Sequence, residues 1–157
     1  MKKITFGLLC LCMLSIPLFA DMSREELQQM YLDYLNDQNI TAVFNEEYGD
    51  IEFLYGNILN VMGYWLIIDE KDQQRLCILK QGGYPLDTIE KKIKAPSAMA
   101  YAIGLTAYAK IYLDPAGENI IVIAETFLVS PEDFKDVFPE LMGGIEHGLR
   151  QFALLMR

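Results

Sequence analysis

The chain has 157 residues, 52% of them hydrophobic, and carries 13 Lys and Arg against 22 Asp and Glu, a formal net charge of −9. A balance this acidic excludes a charge-driven binder of nucleic acid or of an anionic bilayer, because both need a cationic face. With 3 cysteines and 1 histidine the chain is also poor in zinc ligands, which are recruited three or four at a time from Cys, His and carboxylates.

The first residues set the context for the rest. Met1-Lys2-Lys3 is a short cationic start. Residues 4–14 form an apolar run broken only by Thr5 and Gly7, Ser15 and Pro17 interrupt it, and Ala20 supplies a small residue before Asp21. This order is that of a secretory signal peptide over residues 1–20. It places residues 21–157, read as a single domain, in the periplasm or outside a bacterial cell. Leu18 is bulky for its place before the cut, so the cut itself can shift by a few residues. The competing reading, a membrane anchor, needs about 20 apolar residues, more than this run holds. Cys10 and Cys12 sit inside the apolar run and each follows a leucine, which argues against lipidation. Without Lys2 and Lys3 the 13 basic residues become 11 against 22 acidic ones, a charge of −11 spread along the chain. Only Cys77 then remains, so no internal disulfide can form and the core alone must hold the fold. Within Leu76-Cys77-Ile78-Leu79 the thiol reads as buried and inert, with an intermolecular disulfide as the alternative.

Ser23-Arg24-Glu25-Glu26 is a capping box. Leu27, Met30, Tyr31, Tyr34 and Leu35 follow at helical spacing, so an amphipathic helix is expected as far as Asn36-Asp37-Gln38-Asn39. The period then changes. Ile40-Thr41-Ala42-Val43-Phe44 reads as a strand, residues 46–50 as a turn, and residues 51–55, with Ile51, Phe53 and Tyr55 alternating, as a second strand. Gly56-Asn57 marks a turn or bulge. An apolar stretch over 58–68 has its strongest strand portion in Tyr64-Trp65-Leu66-Ile67-Ile68. Residues 69–73 form a polar turn, and residues 75–80 return as a fourth strand, so an antiparallel meander is expected. Gln81-Gly82-Gly83-Tyr84-Pro85 breaks that pattern.

Helical character returns over 87–103, but Pro96 disfavours a helical residue before it. The expectation is a short turn over 87–94, then a helix from Ser97 ending near Gly104. A strand over 107–113, a tight turn at Asp114-Pro115-Ala116-Gly117 and a strand over 118–129 make a hairpin. Ser130 as N-cap, Pro131 at the first helical position and Glu132-Asp133 behind it open a last helix. Phe134, Val137, Phe138, Leu141, Met142, Ile145, Leu149 and Phe152 give that helix a long apolar stripe, with Pro139 and Gly143-Gly144 as candidate kinks. The fold class expected is α+β, a twisted antiparallel sheet with helices packed on it, in the order α-β-β-β-β-α-β-β-α.

Three stretches give this order a likeness. They are the strand and acidic turn Trp65-Leu66-Ile67-Ile68-Asp69-Glu70 within residues 51–79, the hairpin Ala109-Lys110-Ile111-Tyr112-Leu113-Asp114 returning over 121–127, and the helix opening at Ser130-Pro131-Glu132. Together they span most of residues 23–155, and in them the chain resembles the YbjN-like family, whose fold is similar to that of type III secretion chaperones. It departs from that family in its leader and in carrying Ala98, Ala100, Ala102 and Gly104 where the helix before the hairpin usually has Asn. The resemblance implies helices against a strongly twisted sheet, frequent dimerisation and a role in protein–protein contact. It transfers no site residue.

Chemistry is sparse. His147, the single histidine, is needed by any Ser-His or Cys-His site at neutral pH, and its natural nucleophile would be Cys77. As a strand thiol and a helix-surface imidazole the two are not expected to meet. Glu46-Glu47-Tyr48-Gly49-Asp50 and Asp69-Glu70-Lys71-Asp72 lack the spacing of a calcium loop and read as solvated turns. No phosphate-binding loop is present. Tyr101 and Tyr108 flank the small-residue stretch 98–109, which reads either as an interface or as a helix pressed on the sheet. The expectations are therefore no catalytic residue, no cofactor and no metal. The function expected is an exported, chaperone-like protein-binding module with a protein or peptide partner and a possible homodimer. The alternative is a small-ligand carrier or enzyme using a cavity between the sheet and the last helix. Two or more polar side chains converging in that cavity would favour the alternative.

Overall fold

Ser23 opens the first helix as its spacing requires. Its hydroxyl accepts from the Glu26 N–H at 3.2 Å, and its own N–H donates to the Glu26 carboxylate at 2.7 Å, so two orphan donors are satisfied together. The computed structural model describes residues 22–56, 62–106 and 108–157. The expected signal peptide, Asn57 and the first residues of the apolar stretch at 58–61 lie outside them. Helix α1 (Arg24–Asp37) buries Leu27, Tyr31 and Leu35, three members of the expected stripe.

Strands β1 (Ala42–Asn45), β2 (Asp50–Tyr55), β3 (Met62–Ile68), β4 (Arg75–Pro85), β5 (Ala109–Leu113) and β6 (Asn119–Phe127), with helices α2 (Ile89–Gly104) and α3 (Phe134–Met156), complete the order read from the sequence. The six strands form one antiparallel sheet in the order β1-β2-β3-β4-β6-β5. The first four are the meander. The last two are the hairpin, joined to the meander by the pairing of β6 with β4. Alternation decides which side each residue faces. Ile51, Phe53, Tyr64, Leu66, Ile68, Leu76, Ile78, Ile111, Ile120, Val122 and Ala124 are all buried on one face, where they meet Phe134, Phe138, Leu141, Met142, Ile145 and Phe152 of α3.

Three elements differ from expectation. Helix α2 runs unbroken through Pro96. Proline removes one intrahelical bond and crowds the carbonyl four residues back, a cost of about 3 kcal/mol. Burial of Ala95, Ala98 and Ala102 on the core side of the same helix offsets it, and Thr88 caps the start by accepting from the Lys91 N–H at 3.2 Å. Strand β4 continues through Gly82-Gly83 to Pro85, with a register irregularity between Gln81 and Pro85. The glycines permit the distortion without ending the pairing. The last helix is preceded by a 3-10 turn, Pro131–Asp133. Its polar closure comes from the Asp133 carboxylate, which accepts from the N–H groups of Val129 at 3.1 Å and Ser130 at 2.8 Å.

Pro139 lies inside α3 and leaves the Lys135 carbonyl without its helical donor. The Tyr34 hydroxyl of α1 donates to that carbonyl at 3.3 Å, so the defect becomes a tie between the two helices. Gly144 and Gly148 act through size. A methyl at either would meet the Tyr108 Cβ or the Thr106 Cγ2 at 3.4 Å. Their bareness lets α3 sit close to the segment leading into β5.

Candidate functional site

The face of the sheet that points away from the helices carries apolar residues interspersed with a few charged ones. Register places Val43, Glu52, Trp65, Leu79, Ile123 and Lys110 in one row across the strands. Ile67 and Cys77 form part of a neighbouring row ending at Glu125, and Leu54, Gly63, Ile121 and Tyr112 lie on the other side. Among the described residues no helix packs here. Val43 is 56% exposed, Leu54 50% and Phe127 66%. Gly63 stands opposite Leu54, and nothing lies within 4 Å of where its Cβ would be. The result is an apolar notch of about 170 Å³ between Val43, Leu54 and Trp65.

Polar groups frame this face. The Trp65 indole donates to Glu52 Oε1 at 3.1 Å, and Asn45 Nδ2 donates to the same oxygen at 2.6 Å, so the indole is held in place. At the opposite end Glu125 accepts from Arg75 at 2.9 Å and Lys110 at 2.7 Å. Those bonds, the one to Lys110 first, hold its carboxyl below the usual carboxylate range.

Cys77 belongs to this outer face and is half-buried, where a buried thiol was expected. Desolvation first, then the Glu125 charge, pushes its pKa up to about 12. A thiol held protonated in this way is a poor nucleophile. His147 is exposed on α3, on the other side of the sheet, so the fold separates the two residues. The acidic turns are closed by their own side chains: Asn45 Oδ1 accepts from the N–H groups of Glu47 and Tyr48, and Asp69 Oδ1 from those of Lys71 and Asp72. Among the described residues no group of three or more His, Cys, Asp or Glu side chains could hold a metal ion, and no helix is long and apolar enough to cross a membrane. The small-residue stretch divides between its two readings. Ala98 and Ala102 press on the core, whereas Tyr101 and Tyr108 are 58% and 46% exposed.

Beneath the sheet the packing opens. A cavity of about 390 Å³ lies between the helix-covered face and α3, and its polar lining is Tyr55, Tyr64, Lys80, Tyr84, Glu146 and Arg150. Lys80 is the residue that the sequence reading missed. The alternation Leu76, Ile78, Lys80 puts it on the buried face, opposite Val122, and it is only 5% exposed. Its ammonium stands 5.4 Å from the centre of the Tyr64 ring and has no hydrogen bond or ion pair among the described residues. Desolvation lowers its pKa. The Tyr64 phenol is pushed up to about 12 by burial and then by the Glu146 charge, so it remains a neutral donor.

This arrangement, an open antiparallel sheet with its described helices on one face, defines an α+β class of fold. No family model and no curated protein matches the chain. Its fold is similar to that of a chain in the HopA1–SchA chaperone–effector complex, with a TM-score of 0.56 at 16% identity over 83% of this chain and 97% of that one. It is similar also to YbjN from E. coli, with a TM-score of 0.55 at 10% identity over 86% and 96%. At these identities the likeness is one of fold.

Proposed function

We propose that this chain is an exported, non-enzymatic binding module that works as a chaperone, holding an extended apolar segment of another polypeptide on the outer face of its sheet. The observation that carries the reading is the row of Val43, Trp65, Leu79 and Ile123, which no described helix covers and of which Val43 is exposed and the other three half-buried. A contiguous exposed apolar patch on a soluble domain marks an interaction surface, and alternating side chains of an extended segment fit a flat sheet with a notch. The partner is another polypeptide and not a second copy. Two copies without Lys2 and Lys3 would bring net charges of −11 face to face, which opposes self-association and suits a basic partner. The chaperone–effector complex among the similar folds supports the same choice. Export rests on the leader pattern of residues 1–20, which gives a periplasmic or secreted address.

Capture of wild-type and Leu79→Glu chains side by side tests the reading. A polypeptide held by the wild type and lost from an equally stable variant is expected. Identical retention by both, or a light-scattering dimer that Leu79→Glu dissociates, would contradict it. The mass of the exported chain checks the address: loss of residues 1–20, or of a few more or fewer, is expected. The polar cavity favours a second reading, a small-ligand carrier.

A further inference from the structure

Lys80 occupies a place that a sequence seldom gives to lysine. It continues the inner row of β4 after Leu76 and Ile78, both fully buried, and packs in register with Val122, also fully buried. A partly desolvated ammonium without a described protein partner carries a cost, and an apolar residue there would extend the core. Instead the amine borders an open cavity. One wall is apolar, with Leu149 half-buried over the fully buried Ile120 and Phe152, and Tyr55, Tyr64 and Tyr84 line the rest, with Glu146 and Arg150 completing the lining from α3. Tyr84 packs edge-on to Phe152 at 5.3 Å, and its hydroxyl donates to the Met156 carbonyl at 3.3 Å. That wall is therefore fixed before anything enters. Small-molecule sites have volumes of some hundreds of Å³ and combine apolar walls with placed polar groups, and here polar residues make up half of the lining.

We propose that the cavity between the sheet and α3 binds a small monocarboxylate with an apolar body, its carboxylate paired with the Lys80 ammonium and its body against Leu149 and the rings of Tyr55 and Tyr84. The charge follows from the cation at the buried end. Tyr64, next to Lys80, adds a neutral hydroxyl donor. A single charge follows from the balance of the lining, since Glu146 and Arg150 contribute one charge of each sign and leave the Lys80 ammonium in excess. The apolar body follows from the wall. This inference deepens the small-ligand reading and is independent of the outer face, on which neither Lys80 nor α3 lies.

Calorimetric titration of the full-length chain with octanoate and with 1-octanol separates the charge from the body. Octanoate is expected to bind at least about tenfold more tightly than octanol, a difference of about 1.4 kcal/mol. Lys80→Met should abolish that preference while leaving octanol binding unchanged. Leu149→Trp, which fills the cavity, should remove both, and Leu79→Glu on the outer face should change neither. Equal octanoate affinity in wild type and Lys80→Met overturns the proposal, as does the absence of octanoate binding by a folded wild type. Loss of octanoate in Leu79→Glu with retention in Leu149→Trp also overturns it, because the ligand would then sit on the outer face.

Discussion

The two faces of the sheet are built from the same strands, and alternate residues of a single strand have opposite fates. Along β4, Leu76 and Ile78 are fully buried under the helices while Cys77 and Leu79 are only half-covered. The covered face stabilises the molecule, since burial of apolar surface contributes about 25 cal/mol per Å². The outer face mixes apolar residues with Glu52, Arg75, Lys110 and Glu125, and its apolar members are half-buried or exposed, so part of that contribution is unrealised in the free chain. Apolar surface left open in this way is available to a partner, and the same strands thus supply both the stability and the binding surface.

The comparison can be broken by substitution. Phe53 is 2% exposed and packs on Tyr64 and Phe138 at ring distances of 5.4 and 5.7 Å. Phe53→Ala should cost about 3–5 kcal/mol in urea unfolding. Leu79→Ala, one strand position away from the covered face, should cost about 1 kcal/mol or less. Equal costs would mean that the outer face is covered in the free chain.

Lys80→Met should move the other way and stabilise, by at most about 1 kcal/mol at neutral pH, because a partly desolvated charge is exchanged for an apolar side chain of similar length. The pH dependence has a definite sign. Burial depresses the folded-state pKa of Lys80 below its ordinary 10.5, so the penalty is full below the folded value. It fades as pH rises through that value towards 10.5, and the gain from Lys80→Met should shrink over the same window. A gain independent of pH up to 10.5 would show that the ammonium is already solvated or paired.

Tyr34→Phe should cost about 1 kcal/mol, since it removes the donor that Pro139 makes necessary at the Lys135 carbonyl. Denaturation by urea measures it, and a neutral result would mean that water takes over the carbonyl. Glu125→Gln on the outer face should have the smallest effect, a fall in Tm of at most about 4 °C. Its bonds to Lys110 and Arg75 depress the carboxyl pKa below 4.5. The stability it adds is therefore present above pH 4.5 and lost as pH falls through the folded value, so wild type and variant should converge in acid.

The helix starts and the meander were legible because their signals are local. The capping box at Ser23 needs only residue 26, and the alternation of Ile51, Phe53 and Tyr55 needs only its own strand. The continuity of α2 through Pro96 was not legible, because the burial that outweighs the proline comes from another part of the chain. The outer row was hidden for a related reason. Trp65, Leu79 and Ile123 become neighbours only when β3, β4 and β6 take their register. The side on which Lys80 lies could have been read from Leu76-Cys77-Ile78-Leu79-Lys80 by counting in twos. Its significance could not, since the cavity also needs Tyr64 and Glu146, drawn from β3 and α3.

The central claim is that the bare face, and not another part of the surface, receives a polypeptide partner. Site-specific photo-crosslinking tests it most directly, with a benzoyl-phenylalanine at Ile123 on the outer face and, separately, at the exposed His147 on α3. A covalent adduct with a second, different polypeptide at position 123, absent at 147 and removed by Leu79→Glu, is the result predicted. No adduct at 123, an adduct at 147 alone, or an adduct at 123 only with another copy of this chain would contradict the claim.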